Sequence, residues 1–284
     1  MSAGGVSQKS ENEQLVSVLM VGDVCGRSGR KCLKRFLPGL RERLNLDCIV
    51  VNGENASGGI GITGKVADEI FASGVDVITS GNHIWRYREI ISTLESTTRL
   101  IRPQNYPPGT PGHGFTVFPT ASGVRIGVMN LLGRIFMDPV DCPFRAADQI
   151  LERAELGRAA DMWLVDFHAE ATSEKAAMAS HLNGRVSAVV GTHTHVPTAD
   201  HRILSNGTGF MTDLGMTGCI DSVIGMTVES VLPTMTTRMP NRFQTADGEG
   251  SLSGVRLTVE VKTGRCREIQ PVRCGPWLEE AGIR

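Results

Sequence analysis

The side chains with the most chemistry in the least space are His193 and His195, which follow the run Val189-Val190-Gly191-Thr192. Residues i and i+2 of an extended chain project to the same side, so the two imidazoles can converge on one small volume. Neutral imidazole is the commonest metal ligand, and this spacing suits two neighbouring cations or two positions on one. Four other apolar runs end in comparable groups: Asp23, Glu54 with Asn55, Asn82 with His83, and His168. Singly, each has an ordinary structural role: Asp23 ends a strand, Asn55 and Asn82 sit in turns, and His168 is a satisfied core histidine. Together they gain meaning, because the strand ends of one α/β sheet lie side by side at the carboxyl edge where ligands bind. Carboxylate, carboxamide and imidazole without thiolate suit Mn²⁺, Fe or Zn²⁺. Two cations about 3.5–4 Å apart that share a carboxylate serve in-line phosphoryl displacement.

The elements that must position these groups are legible from hydrophobic period. Buried strands are expected over residues 15–21, 48–52, 75–79, 162–165 and 187–190, each running into one of the polar clusters. Between them, helices are expected over 30–44, 63–73, 86–94, 144–158 and from a Thr172 or Ser173 cap to Leu182, where Asn183-Gly184 stops the last. Residues 25–29 read as a turn, and residues 53–61 as a loop whose four glycines allow close backbone approach. That loop lacks a Gly-Lys-Ser/Thr ending and is no nucleotide P-loop. Arg27, Arg30, Lys31, Lys34 and Arg35 form a basic stripe that reads as a solvated helix face. Hairpins are expected at 115–131 and around Asn206-Gly207, and a helix over 228–239. A last strand pair spans 255–272, its first member exposed on one face. Substrate specificity is expected in the Pro/Gly-rich loop 102–114 and in 133–145.

Composition narrows the class. The 284 residues carry 40% apolar and 21% charged side chains with a net charge of −1, which suits a soluble α/β protein and gives no bulk field for nucleic acid. Seven scattered cysteines without a Cys-x-x-Cys motif read as reduced thiols in a cytoplasm. No stretch approaches the roughly 20 apolar residues of a membrane span. Residues 1–14 read as a disordered tail and residues 15–284 as a single domain.

The ordered blocks resemble the calcineurin-type metallophosphoesterases, and more specifically their YmdB-like branch. The resemblance is carried by Gly22-Asp23-Val24-Cys25-Gly26-Arg27, Asn52-Gly53-Glu54-Asn55-Ala56, Gly81-Asn82-His83-Ile84-Trp85, the run from Asp166 to Lys175, Gly191-Thr192-His193-Thr194-His195-Val196 and the run from Thr212 to Gly218. It implies a four-layer α/β/β/α sandwich of the metallo-dependent phosphatase type and a site for two divalent or transition-metal ions, Fe or Mn before Zn. By family pattern Asp23, Glu54, Asn55 and His195 would hold one ion, and Glu54, Asn82, His168 and His193 the other. Glu54 would bridge, His83 would be the proton donor, and Asn55 could also touch substrate. The chain departs from the wider superfamily where Cys25 replaces the histidine of an Asp-x-His motif and where Glu54 replaces the usual bridging Asp. Cys25 is then a packing thiol or a neighbour of a ligand before it is a thiolate ligand itself. Asp213 either orients a ligand imidazole or caps a turn, and His113, His181 and His201 match no motif.

The function so implied is phosphodiester hydrolysis of small nucleotides, 2′,3′-cyclic first and 3′,5′-cyclic second, by attack of a metal-held hydroxide with His83 protonating the departing oxygen. Rival readings are a phosphomonoesterase or nuclease on the same site, and a regulatory metal-binding protein with little turnover. The expected partner is a small nucleotide or phosphodiester, with no membrane and no strong nucleic-acid signal; assembly into a homo-oligomer is compatible with the sequence.

Overall fold

The computed structural model describes residues 14–154 and 156–276. Of the expected tail only Gln14 is among them, and its carbonyl accepts the Val261 N–H at 2.9 Å. The rest of that expectation lies outside the described residues.

In chain order the first half comprises β1 (Leu15–Val21), β2 (Asp23–Val24), α1 (Gly26–Arg43), β3 (Cys48–Asn52), α2 (Gly64–Ala72), β4 (Val77–Thr79), α3 (Ile90–Ser96), β5 (Phe115–Pro119) and β6 (Arg125–Leu132). Then follow α4 (Pro143–Arg153), β7 (Met162–His168), α5 (Thr172–Leu182), β8 (Ala188–Thr192), β9 (Arg202–Ile203), β10 (Gly209–Met211) and β11 (Met216–Thr217). The chain closes with α6 (Val228–Thr237), β12 (Leu252–Glu260) and β13 (Cys266–Cys274).

The strands form a five-stranded sheet ordered β13-β12-β1-β3-β4, a six-stranded sheet ordered β5-β6-β7-β8-β10-β9, and the small pair β11-β2. β1, β3 and β4 run parallel, as do β6, β7, β8 and β10; β12 is antiparallel to both β1 and β13. Strand alternation sorts the core. Val18, Met20, Val50 and Val77 of the first sheet share one cluster with Val128, Leu164 and Val190 of the second. Their neighbours Leu19, Val21, Ile49 and Val51 turn the other way, onto Leu33, Leu37 and Leu40 of α1 and Ile70 of α2. On the far face of the second sheet Met129, Trp163, Val165 and Phe167 meet Ile150 of α4 and Met178 and Leu182 of α5. Each sheet is therefore apolar on both faces, which is why these strands read as continuous runs.

Several expectations change. The site-bearing strand ends belong to two sheets rather than one: β1, β3 and β4 to the first, β7 and β8 to the second. The expected turn at 25–29 is the first turn of α1, closed by Gly29 N–H donating to the Cys25 carbonyl at 3.0 Å. A Cβ on Gly29 would fall 2.3 Å from the Thr217 carbonyl, so glycine there serves close packing on β11. β12 is buried on both faces, because it lies between β1 and β13 and its polar side chains bond to protein: Ser253 to the Leu214 carbonyl, and Arg256 to the Ser17 hydroxyl. At α5 the capping position is Ala171, with no side-chain hydrogen bond, and Thr172 opens the helix itself. The helix expected over 86–94 is a 3₁₀ turn at Ile84–Arg86 followed by α3, and α4 ends at Arg153 rather than 158. None of the described helices is long and apolar enough to cross a membrane.

Candidate metal centre

The two sheets bring their strand ends together around His168, the last residue of β7. Its Nε2 lies 3.0 Å from Glu54 Oε1, 3.1 Å from Asn82 Oδ1 and 3.0 Å from His193 Nδ1. Ligand atoms of Glu54, His168 and His193 all lie within 4.8 Å of one another. A Cβ on Gly81 would sit 2.2 Å from Glu54 Oε2 and 2.4 Å from the His168 ring, so only glycine leaves this cluster its room. Beside it is a second group. Asp23 Oδ1 lies 4.0 Å from His195 Nε2 and 3.7 Å from His168 Nδ1, while Asp23 Oδ2 accepts the His193 N–H. Asn55 spends its amide N–H on the Gly59 carbonyl at 3.0 Å.

Buried polar atoms without a hydrogen-bond partner are rare and call for a reason. Two of them are Asp23 Oδ1 and Asn55 Oδ1. The charges tell the same story. Burial pushes the Asp23 carboxyl up to about 6. Glu54, although buried, is held well below the usual carboxylate range by His168 and His83. Burial opposes a charge on His168, yet Glu54 and Asp23 raise it to about 9. Burial and the His168 charge push His193 down to about 3. A pocket with buried carboxylates, orphaned oxygens and one imidazole supplying the positive charge fits a cation.

The two histidines after β8 converge by a route the sequence does not announce. The strand ends at Thr192, and the chain is not extended beyond it: His193 has φ 97° and His195 φ 67°. Non-glycine residues in that region are strained and persist only when neighbours hold them. The holder is Asp213. Its Oδ2 accepts the Thr194 hydroxyl at 2.7 Å and the Thr194 N–H at 3.2 Å, and faces Lys175 Nζ at 2.7 Å; its Oδ1 accepts the Gly215 N–H at 2.8 Å. Asp213 thus grips the backbone between the imidazoles rather than orienting either ring. Lys175 and Asp213 are both fully buried. Removing one partner of such a pair leaves an uncompensated buried charge, so Lys175→Met is expected to lower the unfolding free energy by about 3–5 kcal/mol. Urea unfolding checks this, and a loss below about 1 kcal/mol would make the pair dispensable.

Each imidazole is turned by its other nitrogen. His195 Nδ1–H donates to the Ile224 carbonyl at 2.9 Å, and His193 Nε2 lies 3.2 Å from Glu170 Oε2. The Thr192 hydroxyl donates to Asp166 at 2.7 Å and so accepts from His168 Nδ1–H at 2.9 Å. Asn52 completes this web, donating to Asp166 and accepting the Glu54 N–H. Sequence reasoning missed Asn52, Asp166, Thr192 and Glu170 as supports; their positions within the same motif blocks were the available signal. Cys25 is buried, its thiol pushed up to about 12 by burial, and its Sγ lies 3.8 Å from the Gly225 carbonyl. It packs under the loop that holds His195. The basic stripe of α1 is the solvated face expected, with Arg27, Lys31, Lys34 and Arg35 exposed; Arg30 reaches the Ala56 carbonyl and Glu69, Arg27 and Lys31 pair with Asp247, and Arg35 with Glu249.

Above the cluster opens a cavity of about 720 Å³, with Glu54, Asn55, His83, His193 and His195 on its floor. His83 is one-third exposed there, its Nδ1 3.2 Å from Glu54 Oε1 and its backbone N–H on Glu54 Oε2. The walls are not the loops expected to carry specificity. They come from residues 58–60, 86–87 and 223–243, whereas residues 102–109 line a separate cavity with the start of α4. The reason is topological: the 102–114 loop is tied to itself by Arg102, whose guanidinium donates to the carbonyls of Pro103, Thr110, Pro111 and Gly112.

A family model described as YmdB-like protein matches residues 19–272. The 2′,3′-cyclic-nucleotide 2′-phosphodiesterase of Bacillus subtilis is 43% identical over 255 residues, which cover 90% of this chain and 96% of that one. A hypothetical protein of Thermus thermophilus with a crystal structure superposes with a TM-score of 0.85 at 42% identity, covering 92% and 99% of the two chains. The crystal structure of a novel phosphatase of Mycoplasma pneumoniae gives 0.86 at 31% identity, covering 93% and 94%.

Proposed function

The chain belongs to the YmdB-like protein family, and on that premise we propose that it is a metal-dependent phosphoric diester hydrolase of small nucleotides, with 2′,3′-cyclic nucleotides as first substrates and 3′,5′-cyclic ones second. The observation that carries the reading is the pair of orphaned buried oxygens, Asp23 Oδ1 and Asn55 Oδ1, beside the Glu54–His168–His193 cluster at the floor of the cavity. In this reading the architecture is the four-layer α/β/β/α sandwich of metallophosphoesterases, a single domain over residues 15–284. Seven cysteines without a disulfide suit a reducing cytoplasm.

Asp23, Asn55 and His195 would hold one cation and Asn82, His168 and His193 the other, with Glu54 shared; Fe or Mn fits this oxygen and nitrogen set, as does Zn. When bound, two cations supply charge neutralisation on the phosphoryl oxygens and acidify the attacking water. The chain's own groups do the rest. Asp213 and Lys175 hold the His193–His195 loop in its strained shape, and Gly81 keeps the floor clear. His83, on the floor beside Glu54, holds a proton for the ribose oxygen that departs, the 2′ oxygen if the chain cleaves as its Bacillus relative is named.

Reconstitution with Mn²⁺ or Fe²⁺ followed by elemental analysis is expected to give about two ions per chain, with turnover of 2′,3′-cyclic nucleotides above that of phosphomonoesters and of single-stranded RNA. No more than one ion after reconstitution would overturn the two-cation reading. Preference for monoesters or RNA would move the reaction to the rival class, and full metal content without turnover of any of them would favour the regulatory reading.

A further inference from the structure

The wall formed by residues 223–243 has a composition the reaction on the floor does not need. Among the described residues, six of the twelve exposed large apolar side chains fall in this one segment: Ile224, Val228, Leu232, Met235, Met239 and Phe243. Phe243, Met235 and Met226 line the cavity itself. The segment is anchored to the metal floor. Ile224 receives the His195 Nδ1–H, and a Cβ on Gly59 (φ 82°) would lie 2.7 Å from Met226 Cε, so the glycine-rich loop beside Asn55 is cut to fit Met226.

Two further groups point to a ligand. Arg86 and Arg242 line the same cavity, and among the described residues neither guanidinium makes a hydrogen bond or ion pair. Beside Arg86, Tyr87 also lines the cavity and donates its hydroxyl to the Ser57 carbonyl at 3.2 Å, which fixes its ring. A volume of about 720 Å³ lies within the range of small-molecule sites, about 300–1,000 Å³. A phosphodiester seated on the floor would place its organic part in a cavity lined by an aromatic ring, two thioethers and two unpaired guanidinium groups.

Resting on the phosphodiesterase reading, we infer that the 223–243 wall is a nucleobase subsite, in which Phe243 stacks on the base, Met235 and Met226 fill in around it, and Arg86 and Arg242 steer the anionic substrate. Stacking on a ring and on polarizable thioethers gains from any base face, so the subsite favours purines over pyrimidines by area and distinguishes little within either class.

The test compares wild type, Phe243→Ala, Met235→Ala and the conservative Phe243→Tyr on adenosine 2′,3′-cyclic phosphate and on methyl riboside 2′,3′-cyclic phosphate, which lacks a base. Both truncated side chains are exposed, at 45% for Phe243 and 66% for Met235, so folding should be intact by circular dichroism. Loss of the Phe243 ring is expected to raise KM for the nucleotide about fivefold or more, with kcat and the base-less substrate unchanged. Phe243→Tyr should recover the wild-type KM. Equal effects on both substrates, or no effect on the nucleotide, would overturn the subsite. A change of Phe243→Ala from oligomer to monomer in light scattering would also overturn it, by making the face a subunit contact. If wild type hydrolyses neither substrate, the phosphodiesterase reading itself fails, and equilibrium dialysis of adenosine 3′-monophosphate still decides the subsite. Weaker binding by Phe243→Ala supports it, and equal binding overturns it.

Discussion

Glu54→Gln is expected to lower the metal content from about two ions to below one per chain and to cost about 10³-fold or more in turnover. The size follows from what cations contribute to phosphoryl transfer, several kcal/mol of transition-state charge stabilisation, at about 1.4 kcal/mol per tenfold. The breadth follows from where Glu54 sits. Its Oε1 faces His168 Nε2 at 3.0 Å and His83 Nδ1 at 3.2 Å, its Oε2 accepts the His83 N–H, and its charge also acts on the buried Asp23 carboxyl of the neighbouring group. A carboxamide keeps the volume but has only one oxygen to offer, and bridges two cations poorly. His195→Ala, by contrast, removes a group that faces only the Asp23 side, and should release mainly one ion. Elemental analysis of both variants after identical reconstitution decides the matter. Loss of the same single equivalent from each would show that Glu54 serves one cation and does not bridge.

Most of the candidate floor was legible because each proposed ligand follows or ends an apolar strand, and a strand end is a place the sequence marks twice, by its period and by its break. Asp23, Glu54, Asn82, His168 and His193 all follow that rule. The geometry between them was not legible, because it depends on two sheets meeting. The pairing of β8 with β10 and the return of β12 beside β1 bring together residues that no local pattern relates. The same limit explains the His193–His195 loop. Extended geometry would also have placed both imidazoles on one side, yet the chain uses two strained residues gripped by Asp213 and Lys175, 20 and 18 residues away from His193 in opposite directions. The residues that wall the cavity escaped the sequence for a different reason. Proline and glycine mark loops but not which loops overhang a site, and the 102–114 loop is closed on its own arginine. The segment 223–243 reads only as a helix and a following loop, and it is the structure that leaves six of its apolar side chains exposed.

His83→Ala is expected to lose about 10²–10⁴-fold in turnover on substrates with an alkoxide leaving group, the usual worth of a positioned general acid. The residue follows Asn82 in the chain, but the structure separates their roles. Asn82 Oδ1 is aimed at His168 Nε2, inside the cluster, while the His83 ring lines the cavity one-third exposed. Its Nδ1 lies against Glu54 Oε1 at 3.2 Å, which leaves Nε2 as the ring atom to meet a departing oxygen. The contact also creates a rival explanation, that His83 acts only by steadying Glu54. Three measurements distinguish the two. The metal content of His83→Ala should stay at the wild-type value, because the backbone N–H that supports Glu54 Oε2 survives the substitution. An aryl phosphodiester, whose leaving group needs little protonation, should lose far less turnover than a cyclic nucleotide does. His83→Gln, which can hydrogen-bond to Glu54 or to a phosphoryl oxygen but cannot deliver a proton, should remain as slow as alanine on the cyclic nucleotide. Equal losses on both substrates with rescue by glutamine would assign His83 to holding the phosphate, and a fall in metal content would assign it to the ligand set.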